Sequence, residues 1–143
     1  MTRRLRESPE QERLMKTKRT KIFSGTPWEP LAGYARAVQA GETVHVSGTT
    51  GTDPSGKVLA PGDPYAQTVQ AIRNIENALK RLGLGLENVV RTRIFLTDIA
   101  RWQEVAKAHA EFFGEIHPAT SLIGVSRLVD PEMLVEIEAT AVV

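Results

Sequence analysis

The strongest constraint on the fold is a strict alternation of side chains near the C-terminus. Between residues 133 and 142, apolar residues take every second position and alternate with Glu136, Glu138 and Thr140; the apolar set is Val135, Ile137, Ala139 and Ala141. A period of two is that of a β-strand, and a strand of this kind buries only one of its faces. The sequence therefore predicts a sheet with one buried face and one polar face.

Other segments are predicted to supply the remaining strands of this sheet. Residues 89–97 alternate in the same way, and we expect four side chains to point inward (Val90, Thr92, Ile94 and Leu96). Two β-prone runs, 34–38 and 43–47, flank Ala40-Gly41 and predict a hairpin. A further strand is expected at 121–126, followed by a turn at Val129-Asp130-Pro131.

Two amphipathic helices are predicted to cover the apolar face. Asp63-Pro64 is typical of an N-cap followed by proline at the first helical position, and Gly83 ends the first helix. Its apolar stripe comprises Val69, Ile72, Ile75, Leu79 and Leu82. Asp98 is expected to cap the second helix, whose buried stripe comprises Trp102, Val105, Ala106, His109, Phe112 and Phe113. The predicted fold is α+β, a mixed sheet with two helices packed on one face.

Length and composition narrow the classes of protein. A chain of 143 residues is expected to form one domain with a real core, over residues 21–143, and Gly25–Gly33 is predicted to be a loop. The chain has no cysteine, which excludes disulfides, thiol nucleophiles and thiolate metal sites and favours a cytoplasmic location. The three histidines show no metal-ligand spacing. No apolar run reaches the roughly 20 residues that cross a membrane.

Residues 1–20 are predicted to be a basic, disordered N-terminal extension. The first 21 residues carry eight basic and three acidic side chains, which leaves ten basic and fourteen acidic residues in 22–143. Besides a plain disordered extension, for which Met15 is an alternative start, the segment fits a nucleic-acid-binding arm or an organelle-targeting peptide. The first interpretation fits the lack of interleaved aromatic residues and the presence of three glutamates.

The polar face of the sheet is expected to carry opposite charges at matching spacing. Arg91 and Arg93 lie on one strand, Glu136 and Glu138 on another, and His45 and Ser47 on a third; pairs of this kind contribute about 0.2–1 kcal/mol each. Two interpretations remain open, a face exposed to solvent and a face that lines a subunit contact.

A series of short motifs, in order from Gly33 to Val143, carries a resemblance to a known family. The motifs are Tyr34-Ala35-Arg36-Ala37-Val38, Val46-Ser47-Gly48, Gln67-Thr68, Asn74-Ile75, Asn88-Val89-Val90-Arg91-Thr92, Phe95-Leu96-Thr97-Asp98, Phe112-Phe113-Gly114, Pro118-Ala119 and Val135-Glu136-Ile137-Glu138-Ala139. The chain resembles the RidA/YjgF/YER057c/UK114 family of imine and enamine deaminases. The resemblance implies a chorismate-mutase-like fold and a homotrimer whose sheets form a central barrel. It also implies a small-molecule ligand in the cleft between subunits, without cofactor or metal.

The resemblance assigns three catalytic residues. It matches Tyr34 to a tyrosine that closes over the ligand, Ser47 to a hydrogen-bond partner of the ligand, and Glu136 to the glutamate that orients the attacking water. Such catalysis depends on positioning and electrostatic stabilisation.

At three other positions the chain departs from the family. Thr120 stands where the family has an arginine that holds the substrate carboxylate, Ala106 where it has an asparagine, and Leu122 where it often has a cysteine. A charge-assisted contact is worth about 1.5–3 kcal/mol, and one threonine hydroxyl cannot replace the guanidinium fork. Arg127, Arg91 and Arg93 are the cations that would have to replace it.

Two histidines are further candidates for substrate binding. His109 lies three residues after Ala106 on the same helical face, where it either reaches the cleft as acid, base or anion binder or packs half-buried beside Trp102 and Phe113. His117 directly precedes Pro118-Ala119, near the expected mouth of the site.

Three classes of function follow from the sequence. The first is a hydrolase of the imine or enamine type with altered specificity, for example for a substrate without a carboxylate. The second is a non-catalytic small-molecule binder or regulatory trimer. The third is an endoribonuclease or translation inhibitor, which the acidic body of the chain disfavours because phosphate contacts dominate nucleic-acid affinity.

Overall fold

The computed structural model describes residues 6–143, apart from the side chains of residues 15–17, and its strands form one mixed sheet with helices packed on it. The strands are β1 (Arg19–Ile22), β2 (Ala37–Ala40), β3 (Thr43–Thr50), β4 (Val89–Leu96), β5 (Ala119–Gly124) and β6 (Val135–Val142). The helices are α1 (Pro9–Thr17), α2 (Trp28–Ala32), α3 (Pro64–Lys80) and α4 (Trp102–Phe113). Within the described range no helix combines the length and apolar character that crossing a membrane requires.

The sheet is mixed, with the strand order β1-β2-β3-β6-β4-β5. Neighbouring strands are antiparallel except β4 and β5, which are parallel and joined through α4. The last strand in sequence, β6, lies between β3 and β4. Both long helices, α3 and α4, pack together, and α3 packs on β3 and β6. The predicted α+β fold, with two helices on one face of a mixed sheet, is confirmed.

Helix α3 follows the sequence prediction closely. The Asp63 carboxylate accepts a hydrogen bond from the backbone N–H of Ala66 at 3.0 Å, and Pro64 opens the helix. Ile72, Ile75 and Leu79 are completely buried, whereas Val69 and Leu82 at the margins of the stripe are only half-buried. The predicted hairpin is also present, with Ala37 opposite Val46 and Ala40 opposite Thr43.

The inward face of β4 differs from the prediction at its first residues. Val90 is 47% exposed, while Val89 is buried. The pairing of β4 with β6 shifts between Val89 and Arg91, which indicates a β-bulge. The extra residue turns Val90 outward, and the predicted alternation resumes at Thr92.

The second helix also begins later than predicted. Asp98 caps a short 3₁₀ turn, Ile99–Arg101, by accepting from the N–H of Ala100, and α4 starts only at Trp102. Trp102 is 49% exposed, so its predicted place in the buried stripe is wrong, whereas Ala108, outside that stripe, is fully buried. A 3₁₀ turn advances the chain by three residues per turn, and this changes which residues of the following helix face the core.

The N-terminal segment is more ordered than predicted. Ser8 and Gln11 form a reciprocal capping box, with Ser8 N–H donating to Gln11 Oε1 at 2.9 Å and Gln11 N–H donating to Ser8 Oγ at 3.2 Å, and α1 follows. Strand β1 then pairs with β2 and crosses the boundary expected after residue 20. The disordered interpretation therefore does not hold for residues 9–20, and residues 1–5 lie outside the described range. The loop expected at Gly25–Gly33 likewise contains α2.

Candidate functional site

A cavity of about 710 Å³ lies between β3, β6, α3 and the segment that connects β1 to β2. Tyr34, Ser47 and Glu136, the three residues predicted to be catalytic, all line it. They come from three separate parts of the chain, and the pairing of β3 with β6 brings Ser47 and Glu136 into one wall.

Glu136 lies on the polar side of β6, where residues of intermediate exposure alternate with buried ones. Its carboxylate makes no hydrogen bond or ion pair with any side chain or backbone group that the structure describes. Burial raises the pKa of Glu136, the nearby charge of Glu138 raises it further, and Arg36 opposes the shift. The cavity thus contains an unpaired carboxyl group that holds a proton more tightly than an ordinary glutamate.

The position of Glu136 depends on Gly48 on the neighbouring strand. A Cβ atom at residue 48 would lie 2.8 Å from the Glu136 Cδ and Oε1 atoms. Only glycine therefore lets the carboxylate rest against the backbone of β3.

The hydroxyl of Ser47 is committed to the backbone. Its Oγ donates to the carbonyl oxygen of Ala35 at 2.7 Å, and the Ser47 N–H donates to the Arg36 carbonyl at 2.9 Å. Ser47 therefore fixes the segment that carries Tyr34, and toward a ligand its Oγ has only lone pairs to offer.

Arg36 is a central member of the site that the sequence prediction missed. It is 6% exposed, and its Nη1 donates to the Gly48 carbonyl at 2.6 Å and to Thr49 Oγ1 at 3.2 Å. Its Nη2 donates to Glu29 Oε2 at 3.3 Å and to the Tyr34 hydroxyl at 3.4 Å. Because the Tyr34 oxygen accepts from Arg36, its own proton is available to a ligand. The available signal was a lone arginine in the otherwise apolar run that follows Tyr34.

The buried carboxylate of Glu29 balances the charge of Arg36. Glu29 is 2% exposed, and its carboxylate accepts from Ser24 N–H at 2.9 Å, from Thr26 Oγ1 at 3.0 Å and from the hydroxyl of Ser24. Burial acts to raise the pKa of Glu29, but the hydrogen bonds from Ser24, Thr26 and Gly25 outweigh it, so that the pKa is lowered and the group is ionised. The pair holds the 24–26 segment, which forms one rim of the cavity.

Thr120 and His109 belong to a different cluster, at the edge strand β5. Thr92 Oγ1 lies 2.7 Å from Thr120 Oγ1 and 2.9 Å from His109 Nε2, and the Thr120 hydroxyl donates to the Pro118 carbonyl at 3.1 Å. The His109 ring packs on Phe113 with 4.6 Å between centroids, and burial lowers the pKa of His109. The structure brings these two predicted residues together through Thr92, as a neutral chain of hydrogen bonds.

The two clusters face opposite sides of the sheet. Thr92 is fully buried on the helix side, and Thr120 is in register with it, whereas Glu136 lies on the polar side opposite Phe95. Within one chain, Thr120 and His109 therefore do not border the cavity that holds Glu136.

The remaining predicted residues also lie outside the cavity. Ala106 is half-buried on α4, and Leu122 is half-buried against the core. His117 is exposed, with φ of +55°, at the turn between α4 and β5, where its N–H donates to the Phe113 carbonyl at 2.9 Å.

None of the cations expected to replace the family arginine borders the larger cavity. Arg91 and Arg93 line a smaller one of about 360 Å³ on the polar sheet face, with His45, Ser47 and Thr140 among its other residues. Arg93 Nη1 lies 3.5 Å from Glu138 Oε2, which confirms one of the predicted charge pairs across the strands. Arg127 is exposed and lines neither cavity. Within the range 6–143 there is no cluster of three or more histidine or carboxylate side chains suited to a metal ion.

Comparisons with known proteins agree with this architecture. The family model described as Endoribonuclease L-PSP matches residues 25–143. The crystal structure of Rv2704, a member of the YjgF/YER057c/UK114 family from Mycobacterium tuberculosis, is similar with a TM-score of 0.79 and 49% identity, covering 88% of this chain and all of that one.

Two relatives with a named activity are similar over most of their length. The 3-aminoacrylate deaminase RutC of Acinetobacter baylyi is 38% identical over 117 residues, which are 82% of this chain and 91% of that protein. The 2-iminobutanoate/2-iminopropanoate deaminase of Mus musculus is 35% identical over 123 residues, 85% of this chain and 90% of that one.

Proposed function

Because this chain belongs to the Endoribonuclease L-PSP family, the family of YjgF and RidA proteins, we propose that it is a small-molecule hydrolase that adds water to a C=N bond. The family includes deaminases of enamines and imines, among them the two relatives from Acinetobacter baylyi and Mus musculus. The observation that carries the proposal is the unpaired Glu136 carboxylate, in one cavity with Tyr34 and Ser47.

Each of the three residues has a distinct part in this reaction. Glu136 takes a proton from the attacking water, a task that its raised pKa favours because a stronger base accepts the proton more readily. The Tyr34 hydroxyl, whose oxygen accepts from Arg36, donates a hydrogen bond to the oxygen of the water adduct and orients it, without transferring its proton. Ser47 accepts a hydrogen bond from the substrate N–H.

We further infer that the protein is a cytoplasmic homotrimer with its ligand in the cleft between subunits. The separation of the site into two clusters supports this, because a second chain could bring its Thr120 cluster next to the Glu136 of the first. The unpaired edge of β5 and the exposed side chains of Ile99, Trp102 and Ile123 supply a surface for such a contact. Light scattering coupled to size-exclusion chromatography tests it, and a monomer at micromolar concentration would refute it.

The direct test of the reaction uses imines made in situ by an amine or amino-acid oxidase, in the presence of semicarbazide. A hydrolase diverts the imine from the semicarbazone and releases ammonia faster than the uncatalysed reaction. We expect Glu136→Gln to lose at least about a hundredfold of this acceleration. Glu132→Gln, an exposed acid outside the cavity, is the matched control. A Glu136→Gln protein as active as the control would exclude the proposed mechanism.

The non-catalytic alternative, a small-molecule binder or regulatory trimer, rests on Thr120. At the family's arginine position this residue offers one neutral hydroxyl, already bound to Thr92 and Pro118. If Thr120 is the cause of lost catalysis, Thr120→Arg gives activity toward 2-iminopropanoate to an otherwise inert protein. Binding without turnover in both proteins would favour the regulatory alternative.

The description of the family model also names an endoribonuclease. The charged residues that line the cavity are three carboxylates and two arginines, a poor match for phosphate. We therefore propose that nucleic acid is not the partner of this site. RNA cleavage that disappears on removal of residues 1–14 would assign the activity to the basic extension instead.

A further inference from the structure

We propose that the cavity binds its substrate as a cation, an iminium ion R₂C=NH₂⁺ that carries no carboxylate, with Glu136 as the counter-ion. The inference rests on the proposed function for its chemistry and adds a substrate class to it. Its basis is the charge balance of the cavity, which is measurable with unreactive ligands.

The cavity has more negative than positive groups in its walls. Among the described residues, its charged lining side chains are Arg36, Arg81, Asp53, Glu136 and Glu138. A ligand that enters therefore meets two cations and three carboxylates. Whether the cavity prefers a positive or a negative ligand depends on which of these groups have no partner in the protein.

Arg36 is not available to a ligand anion. Both of its terminal nitrogens already have two acceptors each, and the guanidinium is almost completely buried. Its charge is matched by Glu29, which is itself fixed by Ser24 and Thr26. Arg36 is therefore a positioning residue, which holds Tyr34 and the Gly48 carbonyl in place.

The second arginine is also engaged. Arg81 follows the last residue of α3, and its Nη1 donates to the Phe23 carbonyl at the end of β1. This contact ties the guanidinium to the rim of the cavity. Arg81 is exposed and contributes to the shape of the entrance beside Phe23.

Two of the three carboxylates are engaged as well. Asp53 accepts from Ser55 N–H at 2.9 Å, from Ser55 Oγ at 2.6 Å and from Lys57 N–H at 3.0 Å, and so closes its own turn. Glu138 has Arg93 at 3.5 Å. Of the three lining carboxylates, only Glu136 has neither a hydrogen bond nor an ion pair among the described residues, which leaves its carboxylate open to a ligand.

The consequence is a preference for positive ligands. A substrate carboxylate beside Glu136 would meet the charges of Glu136 and Glu138, and of the two lining arginines only Arg81, exposed at the rim, has no carboxylate partner among the described residues. Like charges brought together are penalised strongly. An iminium ion finds the opposite situation, because its N–H groups can donate to Glu136 and to the lone pairs of Ser47.

The reaction balances with water as the only co-substrate. The water oxygen bonds to the iminium carbon, the C=N π electrons move to nitrogen, and one water proton passes to Glu136, which gives a neutral carbinolamine. Glu136 returns this proton to the amino group, the C–N bond breaks, and the hydroxyl proton leaves with the nitrogen. The net change is R₂C=NH₂⁺ + H₂O → R₂C=O + NH₄⁺, with Glu136 regenerated.

Hydrolysis is tested with two imines that differ only by a carboxylate. Benzylamine and a flavin-dependent amine oxidase give the imine of benzaldehyde, whereas phenylglycine and a flavin-dependent amino-acid oxidase give 2-imino-2-phenylacetate. We expect the first to be hydrolysed at least about tenfold faster, measured as kcat/KM with semicarbazide trapping. Equal rates, or faster hydrolysis of the carboxylate, would overturn the inference.

Binding is tested with the unreactive pair benzamidine and benzoate, which have the same shape and opposite charge. Isothermal titration calorimetry should show benzamidine binding that Glu136→Gln weakens by about tenfold or more and Glu132→Gln does not change. Benzoate that binds as tightly as benzamidine would overturn the inference. Selective benzamidine binding without hydrolysis of either imine would leave the charge preference in place and remove the proposed function.

Discussion

Glu136 acquires its chemistry from residues that take no part in bond making. Gly48 provides the space for its carboxylate, Glu138 adds a like charge beside it, and the wall of the cavity removes it from water. A glutamate two positions along the same strand face, Glu138, has an arginine partner instead. At this scale, function depends on neighbours more than on the identity of the residue.

Gly48→Ala tests the space that Glu136 needs. The new Cβ would meet the carboxylate at 2.8 Å, and because the contacted atoms are the far end of a flexible side chain, we expect Glu136 to rotate away. The unfolding free energy should change by less than about 0.5 kcal/mol, whereas kcat should fall clearly. Thermal unfolding and steady-state rates measure both effects. An unchanged kcat in Gly48→Ala would show that the position of Glu136 does not depend on this space.

The pH dependence of catalysis tests the origin of the shifted acid. Activity requires the ionised Glu136 carboxylate. Because the pKa of Glu136 is raised above the ordinary value of 4.5, the acid limb of the kcat/KM profile should lie above pH 4.5. Activity is then lost as the pH falls through this raised pKa. Glu138→Gln removes one of the two raising causes and should move the limb to lower pH, whereas Glu132→Gln should leave it in place. An unmoved limb in Glu138→Gln would assign the whole shift to burial.

For the buried Glu29–Arg36 ion pair, we expect that the effects of two substitutions on the unfolding free energy do not add. Because both side chains are buried, loss of one partner leaves an unpaired charge, and Glu29→Gln or Arg36→Met alone should cost about 3–5 kcal/mol in unfolding free energy. The double variant should cost clearly less than the sum of the two, measured by chemical denaturation. The pKa of Glu29 is lowered, so its contribution is present above the unfolded value near 4.5 and is lost as the pH falls. Additive single effects would contradict the pairing.

For the helices and strands, the sequence predicted those features that depend on interactions between residues close together in the chain. Helix α3 could be predicted because an N-cap aspartate, a first-turn proline and a regular apolar stripe all act within the helix itself. The bulge at Val90 and the 3₁₀ turn after Asp98 could not, because both depend on how β4 and α4 meet strands that are distant in sequence.

The residues of the candidate site divide in the same way into those that the sequence predicted and those that it did not. Tyr34, Ser47 and Glu136 were found through short motifs, and the pairing of β3 with β6 explains why they meet. Arg36 and Glu29 were missed because their roles arise from contacts across the cavity, and α2, which carries Glu29, spans only five residues. Within one chain Thr120 and His109 lie on the helix side of the sheet and not at this cavity, because the sequence does not show which face of β5 turns toward the helices. Their place in a cleft between chains stays a prediction.

The N-terminal elements can be separated by truncation. Removal of residues 1–14, which leaves a chain that starts at Met15, deletes most of α1 and should change the unfolding free energy by less than about 0.5 kcal/mol, because the described α1 side chains are exposed. Removal of residues 1–23 also deletes β1 and the buried Ile22, and should cost at least about 1.5–3 kcal/mol. Thermal denaturation of the two proteins measures the difference, and equal stabilities would show that β1 does not support the sheet.

For the whole molecule, the two ends of the sheet are unequal. One edge is the four-residue strand β1 and the other is the six-residue strand β5, and neither has a further partner strand among the described residues. An open edge of this kind is suited to pairing or covering by another chain. The proposed trimer would give it that cover.

The central position of β6 has a consequence for how the protein is made. As the chain leaves the ribosome, β1, β2 and β3 emerge first and β4 and β5 later, yet these two groups are joined only through β6, which is synthesised last. During translation the strands β1–β3 and the strands β4–β5 cannot form one sheet until β6 is made, and their apolar surfaces stay exposed until then. Since β6 also brings Glu136, completion of the sheet and arrival of the proposed catalytic acid are one event, and a nascent chain that lacks its last strand has neither.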